Sequence, residues 1–170
     1  MATSGDAEPA KYDLVAIGEI VWEHHMQVAR FPARGDKAAY RVGETRLAGV
    51  AALCLERARK GERVALAAEI GDAPRDAKLK GELAAAGVDL SHLLQKAGHV
   101  GSERWIFEED DARERTTLCM PGDGYPADAL KPEWVASARE LWMDRTGTPA
   151  AAKAAKLAKK AGVALHLLAS

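Results

Sequence analysis

The sequence predicts an α/β fold: a mostly parallel sheet with helices on both faces, plus a small separate β layer. Three observations carry that prediction. YDLVAIGEIV (12–21) is an almost unbroken apolar run with β-branched residues, which suits a strand covered on both faces. Strand-like and helix-like stretches then alternate from residue 51 to 90 and again from 131 to 168. Two stretches, 26–47 and 99–120, break the alternation and read as strands outside the main sheet.

Size and composition bound the rest. A chain of 170 residues fits one domain that buries roughly 70% of the surface it exposes when unfolded. With 48% hydrophobic and 29% charged residues, and no apolar run of spanning length, the expectation is a globular protein without a membrane partner. Lys plus Arg number 24 and Asp plus Glu 25, so no basic excess supports nucleic-acid binding. Residues 1–11 read as a loose tail without the pattern of a secretory signal, and 12–170 as one domain. Cys54 and Cys119 are far apart and form no CxxC, so two buried thiols in a reducing cytoplasm are expected, with no zinc site.

Each element has a local cause. From Ala51 the apolar positions 51, 54, 55 and 58 share one helical face while Glu56, Arg57, Arg59 and Lys60 point away, and Gly61 stops the helix. RVALAAEIGD (63–72) returns to strand, and PRDAKLKGELAAAGVD (74–89) forms a helix with Leu79 and Leu83 on its core side. KPEWVASARE (131–140) reads as helix and LWMD (141–144) as a short strand. Thr148-Pro149 is an N-cap followed by Pro at the first helical position of a helix over 149–161, with an apolar stripe of Ala150, Ala154, Leu157 and Ala161. VALHLL (163–168) is the last strand.

Chemistry is expected where strands end. Read this way, the first strand runs out at WEHH (22–25), a later one at MDR (143–145), and the turn Ala48-Gly49-Val50 opens a helix on the same edge of the sheet. Glu23 and Asp144 would then converge beside backbone amides, an arrangement suited to a polyhydroxylated ligand. The competing reading makes both carboxylates mere polar strand ends. His24 and His25 are adjacent on a strand and point to opposite faces, so they are poorly placed to share a metal. Lysines 153, 156, 159 and 160 read as a solvated helix face, and Trp134 and Trp142 as core. Neither a G-x-S-x-G elbow nor a GxxxxGK[ST] loop occurs.

The order of AIGEIVWEH, a lid stretch, the small-residue turn, GERVALAAEIGD, ELAAAGVDLS, RTTLCMPGDG, LWMD and KLAKKAGVALHL resembles the PfkB or ribokinase-like family of carbohydrate kinases over residues 13–168. The resemblance implies a Rossmann-like sheet, a β lid that often forms a dimer interface, and ATP- and Mg-dependent phosphoryl transfer to a sugar hydroxymethyl group. Its sugar-holding positions fall on Val21 and Glu23, where Asn and Asp are usual, on Ala48, Gly49 and Val50, where a Gly-Gly-Asn-type turn is usual, and on Asp144. The Asp or Asn usual where the sheet meets nucleotide is Leu168, and the asparagine a few residues into the helix is missing. The family's second half carries its anion hole, catalytic base and most of its nucleotide site, and the sequence stops at Ser170 before any of them. The resemblance therefore implies an incomplete ribokinase-like domain that takes a sugar or nucleoside, holds no ATP or Mg well alone and carries no catalytic residue. Its partner would be a second copy through the lid or a missing C-terminal half. The alternative is a non-catalytic ligand-binding or dimerisation module derived from that fold.

Overall fold

The computed structural model describes residues 10–99, 101–110, 114–144 and 148–168; most of the expected tail, residues 1–9, lies outside the described residues. The first half comprises β1 (Tyr12–Ile17), β2 (Ile20–Val28), β3 (Tyr40–Ala48), α1 (Gly49–Arg59), β4 (Val64–Ala67), β5 (Glu69–Ile70) and α2 (Pro74–Ala85). There follow β6 (Leu94–Gln95), β7 (Ser102–Glu109), β8 (Arg115–Met120), α3 (Pro132–Ala136), β9 (Ala138–Met143), α4 (Pro149–Ala161) and β10 (Ala164–Leu167).

The main sheet is fully parallel in the order β10-β9-β1-β4. Period-two alternation along β1 sends Leu14 and Ala16 to one face and Val15 and Ile17 to the other. The first face packs on α1 and α2 through Val50, Cys54, Leu79 and Leu83, the second on α3 and α4 through Trp134, Val135, Ala150 and Ala154. Leu14, Leu66, Leu83 and Leu141 are fully buried, each contributing roughly 1.5–3 kcal/mol over an exposed position. The expected parallel sheet with helices on both faces is therefore present.

A second sheet, in the order β3-β2-β7-β8, forms the lid. Antiparallel pairs β2/β3 and β7/β8 are joined by a parallel β2/β7 pair, with Val21 opposite Ser102 and Glu23 opposite Arg104.

Several expectations change at element boundaries. The run 12–21 is two strands in two sheets, because the chain turns at Gly18 and Glu19 to leave the main sheet. A Cβ on Gly18 would stand 2.0 Å from Asp144 Oδ1, so only glycine lets the chain pass so close. WEHH accordingly lies within β2 of the lid and not at the end of β1. The helix expected over 131–140 spans only Pro132–Ala136: the Ser137 hydroxyl donates to the Trp134 carbonyl at 2.7 Å, and β9 begins at Ala138, with Leu141 and Met143 buried against β1.

Elsewhere the local readings hold. Helix α1 buries Ala51, Cys54, Leu55 and Ala58 as expected, and Val50 besides. On α4, Thr148 Oγ1 accepts from the Ala151 N–H at 3.1 Å and Gly162 closes the helix at φ 70°. Its buried stripe is Ala150, Ala151, Ala154 and Ala158, whereas Ala161 is exposed. Cys54 is buried, but Cys119, expected to be buried, is exposed on the lid strand β8. Among the described residues no helix is long and apolar enough to cross a membrane.

Candidate functional site

Between the lid and the C-terminal edge of the main sheet lies a cleft of about 640 Å³, a volume suited to a small organic ligand. Its walls include Glu23 from β2, Arg46 from β3, Arg104 from β7 and Arg115 from β8, facing Gly49 and Asp144. An adjoining hollow of about 240 Å³ shares Arg104, Cys119 and Asp144 with it.

Asp144 organises the floor. Its Oδ2 accepts from the Val50 N–H at 3.2 Å, and its carboxylate accepts from the Glu19 N–H at 3.3–3.4 Å. A negative group at the first turn of α1 answers both the orphan amides and the helix dipole. Burial, helped by the charge of Glu19, pushes the Asp144 carboxyl above the ordinary carboxylate range, against the pull of those backbone hydrogen bonds. Gly49 takes φ +68°, and a Cβ there would meet Asp144 Oδ2 at 2.8 Å, which accounts for the small residue in the turn. The sequence expectation of free amides beside Asp144 is thus revised: the Val50 amide is already held by Asp144 itself.

The lid side is a charge network. Glu23 Oε1 accepts from Arg104 Nη1 at 3.3 Å, and Glu23 Oε2 lies 3.5 Å from Arg46 Nε and 3.6 Å from His25 Nε2. Arg46 also reaches Glu44 at 3.3 Å. His24, on the opposite face, takes Thr45 Oγ1 at 3.0 Å and lies 3.3 Å from Glu103. Below, Glu19 Oε2 accepts from the Ser102 hydroxyl at 2.5 Å, while Ser102 Oγ accepts from the Gly122 N–H at 2.8 Å. These bonds tie the Gly18–Glu19 turn to the lid strand β7.

Of the residues singled out from the sequence, Glu23, Ala48, Gly49 and Asp144 line the one cleft. Val50 is fully buried beneath it, and Val21 is buried beside Gly49. Leu168 also lines the cleft, its N–H donating to the Met143 carbonyl at 2.7 Å. Sequence reasoning missed Arg46, Arg104, Arg115 and Glu19. Alternation on β8 does place Arg115, Thr117 and Cys119 on one face, but strand period alone leaves open which face meets the cleft.

Elsewhere, Glu69, His99 and Asp123 bring one potential metal donor each within 4.8 Å of one another. The Lys96 ammonium already sits on Asp123 at 2.8 Å, so a cation there would compete with an internal one.

Comparison with solved structures places the fold. The chain resembles the Arabidopsis thaliana ribokinase solved with ribose and ATP, at 18% identity and a TM-score of 0.71, covering 92% of this chain and 53% of that one. It resembles the PfkB protein from Polaromonas sp. JS666 at 20% identity and a TM-score of 0.63, covering 92% and 54%. A third likeness is the ribokinase of Cryptococcus neoformans var. grubii serotype A in complex with ADP, at 20% identity and a TM-score of 0.59, covering 78% and 40%. No protein-family profile matches the sequence, and no curated protein does. The chain has the ribokinase-like fold, and it spans about half the length of the first proteins it matches.

Proposed function

We propose that this chain is the sugar-binding and lid half of a ribokinase-type carbohydrate kinase, with the cleft under the lid as the sugar site. The observation that carries the reading is the meeting of Glu23 from the lid with Asp144 and Gly49 from the main sheet around one cavity of ligand size. Carboxylates facing each other across such a cleft accept hydrogen bonds from several hydroxyls at once. The lid supplies the exclusion of water that phosphoryl transfer to a sugar, and not to solvent, demands.

In this reading the sugar lies over the Ala48–Gly49 turn, which lines the cleft. Glu23 and Asp144 orient its hydroxyls. At the α1 and β10 end of the cleft the lining residues Leu53 and Leu168 carry no side-chain donor for a triphosphate, and no nucleotide or magnesium site is assigned to this chain. No step is therefore assigned to this chain beyond binding and covering the sugar, and alone it is expected to be inactive.

Calorimetry of the chain against a panel of pentoses, hexoses and nucleosides tests the reading. Binding that is lost in Glu23→Gln supports it; an absence of binding across the panel overturns it.

A second reading, a module that associates without catalysis, draws support from two observations. The Val50 amide is held by Asp144 instead of standing free. Tyr40, Val42 and Leu118 expose apolar side chains on the outer lid strands, as a surface for a second copy requires. Sedimentation equilibrium separates monomer from dimer, and a monomer at all concentrations would remove this reading.

A further inference from the structure

Outside the walls of the cleft, three side chains meet where the chain enters and leaves the β7/β8 hairpin. Glu69 lies on β5, His99 shortly before β7 and Asp123 shortly after β8, and one donor atom from each stands within 4.8 Å of the others. His99 and Glu69 are the buried members, with side chains only 7% and 13% exposed. Glu69 Oε2 is shut off from solvent without a hydrogen-bond partner, and His99 Nδ1 stands 3.7 Å from it, too far for a hydrogen bond. A buried carboxylate in that position is costly unless a cation meets it.

The geometry suits an ion. Two ligands each ~2.0–2.2 Å from a tetrahedral zinc ion stand roughly 3.4 Å apart, close to the 3.7 Å between Glu69 and His99. A hollow of about 10 Å³, room for one small ion or water, is lined by Glu69 and His99 together with Gly122 and Gly124, the neighbours of Asp123. The backbone holds the buried pair in place: the Lys96 N–H donates to the Ile70 carbonyl at 2.9 Å, the His99 N–H to the Lys96 carbonyl at 3.1 Å, and the Gly98 N–H to Asp72 Oδ1 at 3.2 Å. Asp123, with its side chain 71% exposed, can close the remaining distance by a rotation.

Charge favours a divalent ion over the lysine now beside the site. Lys96 pairs with Asp123 at 2.8 Å and acts on Glu69 only at longer range. Both members of that pair are exposed, where an ion pair contributes little. Two carboxylates and a neutral imidazole ligand balance two positive charges, whereas one ammonium balances one. The imidazole favours a zinc-like ion over magnesium and calcium, which take oxygen ligands.

We propose that Glu69, His99 and Asp123 bind one zinc-class divalent cation, which clasps both ends of the β7/β8 hairpin to β5. Three protein ligands leave a further position open to water on the exposed, Asp123 side. This site stands apart from the sugar-binding reading.

The test is isothermal calorimetry with zinc chloride on the full chain without an affinity tag, in a Cys119→Ser background so that the exposed thiol takes no metal. One saturable site per chain is expected. Asp123→Asn, at an exposed position, should weaken binding roughly tenfold or more, and so should Glu69→Gln, its folding checked by the metal-free thermal transition. Lys96→Gln removes the competing ammonium and should tighten binding, an effect that a site elsewhere would not show. Zinc should raise the thermal transition of the parent and leave that of Asp123→Asn nearly unmoved. Equimolar magnesium chloride should displace none of the bound zinc, and displacement would overturn the assignment of metal class. Absence of saturable zinc binding overturns the proposal, as does an affinity that Asp123→Asn and Glu69→Gln leave unchanged or that Lys96→Gln does not raise.

Discussion

Substituting Gly18 by Ala tests whether Asp144 is the clasp that joins the main sheet to its lid. Gly18 has no positive φ, so alanine brings no backbone strain. The difficulty is the carboxylate: the new Cβ would stand 2.0 Å from Asp144 Oδ1, 2.5 Å from Cγ and 2.8 Å from Oδ2. Asp144 must swing away and release the Glu19 and Val50 amides. Hydrogen bonds to a charged acceptor are worth ~1.5–3 kcal/mol each. At 3.2–3.4 Å these two lie at the weak end, so their joint loss costs about 3 kcal/mol by that scale. Asp144→Ala removes the same bonds and should cost a similar amount. In the double variant the clash has no partner, so the total stays near 3 and not 6 kcal/mol, a coupling of about 3 kcal/mol. Urea unfolding reads this directly: at a slope of ~2 kcal/mol/M the single variants shift the midpoint down by about 1.5 M, and the double variant shifts it no further. If Gly18→Ala costs as much with Ala at 144 as with Asp, the two residues act independently and the clasp argument fails.

Two more outcomes concern Asp89 and the two cysteines. Burial pushes the Asp89 carboxyl up, but hydrogen bonds from the Tyr12 hydroxyl and the Ser91 backbone outweigh it and leave the group at about 2. Its stabilising contribution is therefore present above pH 3.8 and lost as pH falls toward 2, and Tyr12→Phe should both destabilise the chain by ~1–2 kcal/mol at neutral pH and flatten this part of its acid unfolding curve. An unchanged acid limb would refute that assignment. Cys119 is exposed, while burial, aided by the charge of Asp144, holds the Cys54 thiol well above its usual range. Ellman's reagent should titrate one thiol rapidly and the second only at the rate of unfolding; two fast thiols would contradict the packing of α1.

The parts of this fold that were legible in the sequence are those set by local pattern. The α1 stripe, the Thr148-Pro149 start of α4, the mostly apolar β1 and the fully apolar β4 each declare themselves within a few residues. The split at Gly18 did not, because Ile17 and Ile20 are equally apolar and nothing in a continuous run says that its two halves serve different sheets. The stop of α3 at Ala136 was hidden for the same reason: Ala138 and Leu141 satisfy a helix face as readily as a strand face, and the choice is made by pairing with β1. At the cleft, Glu23, Gly49 and Asp144 were found through their place in the order of elements. Arg46, Arg104 and Arg115 come from three strands whose order, β3-β2-β7-β8, is a tertiary fact. The bonding of Asp144 to Val50 and Glu19 is likewise invisible until residues 94 and 125 positions apart have been folded together.

The parallel pairing of β2 with β7 also dictates an order of assembly. Glu23 and Arg104 stand 81 positions apart, and the chain between them contains α1, β4 and α2. Closing so long a segment costs entropy that no local contact returns, so contacts of this separation form late. The main-sheet strand pair β1/β4 and its covering helices span a shorter stretch of chain and can consolidate first. The β1/β9 pair, with Val15 opposite Leu141, closes a longer segment still, so β9 and the Asp144 floor of the cleft join last, onto a β1/β4 unit that is already formed.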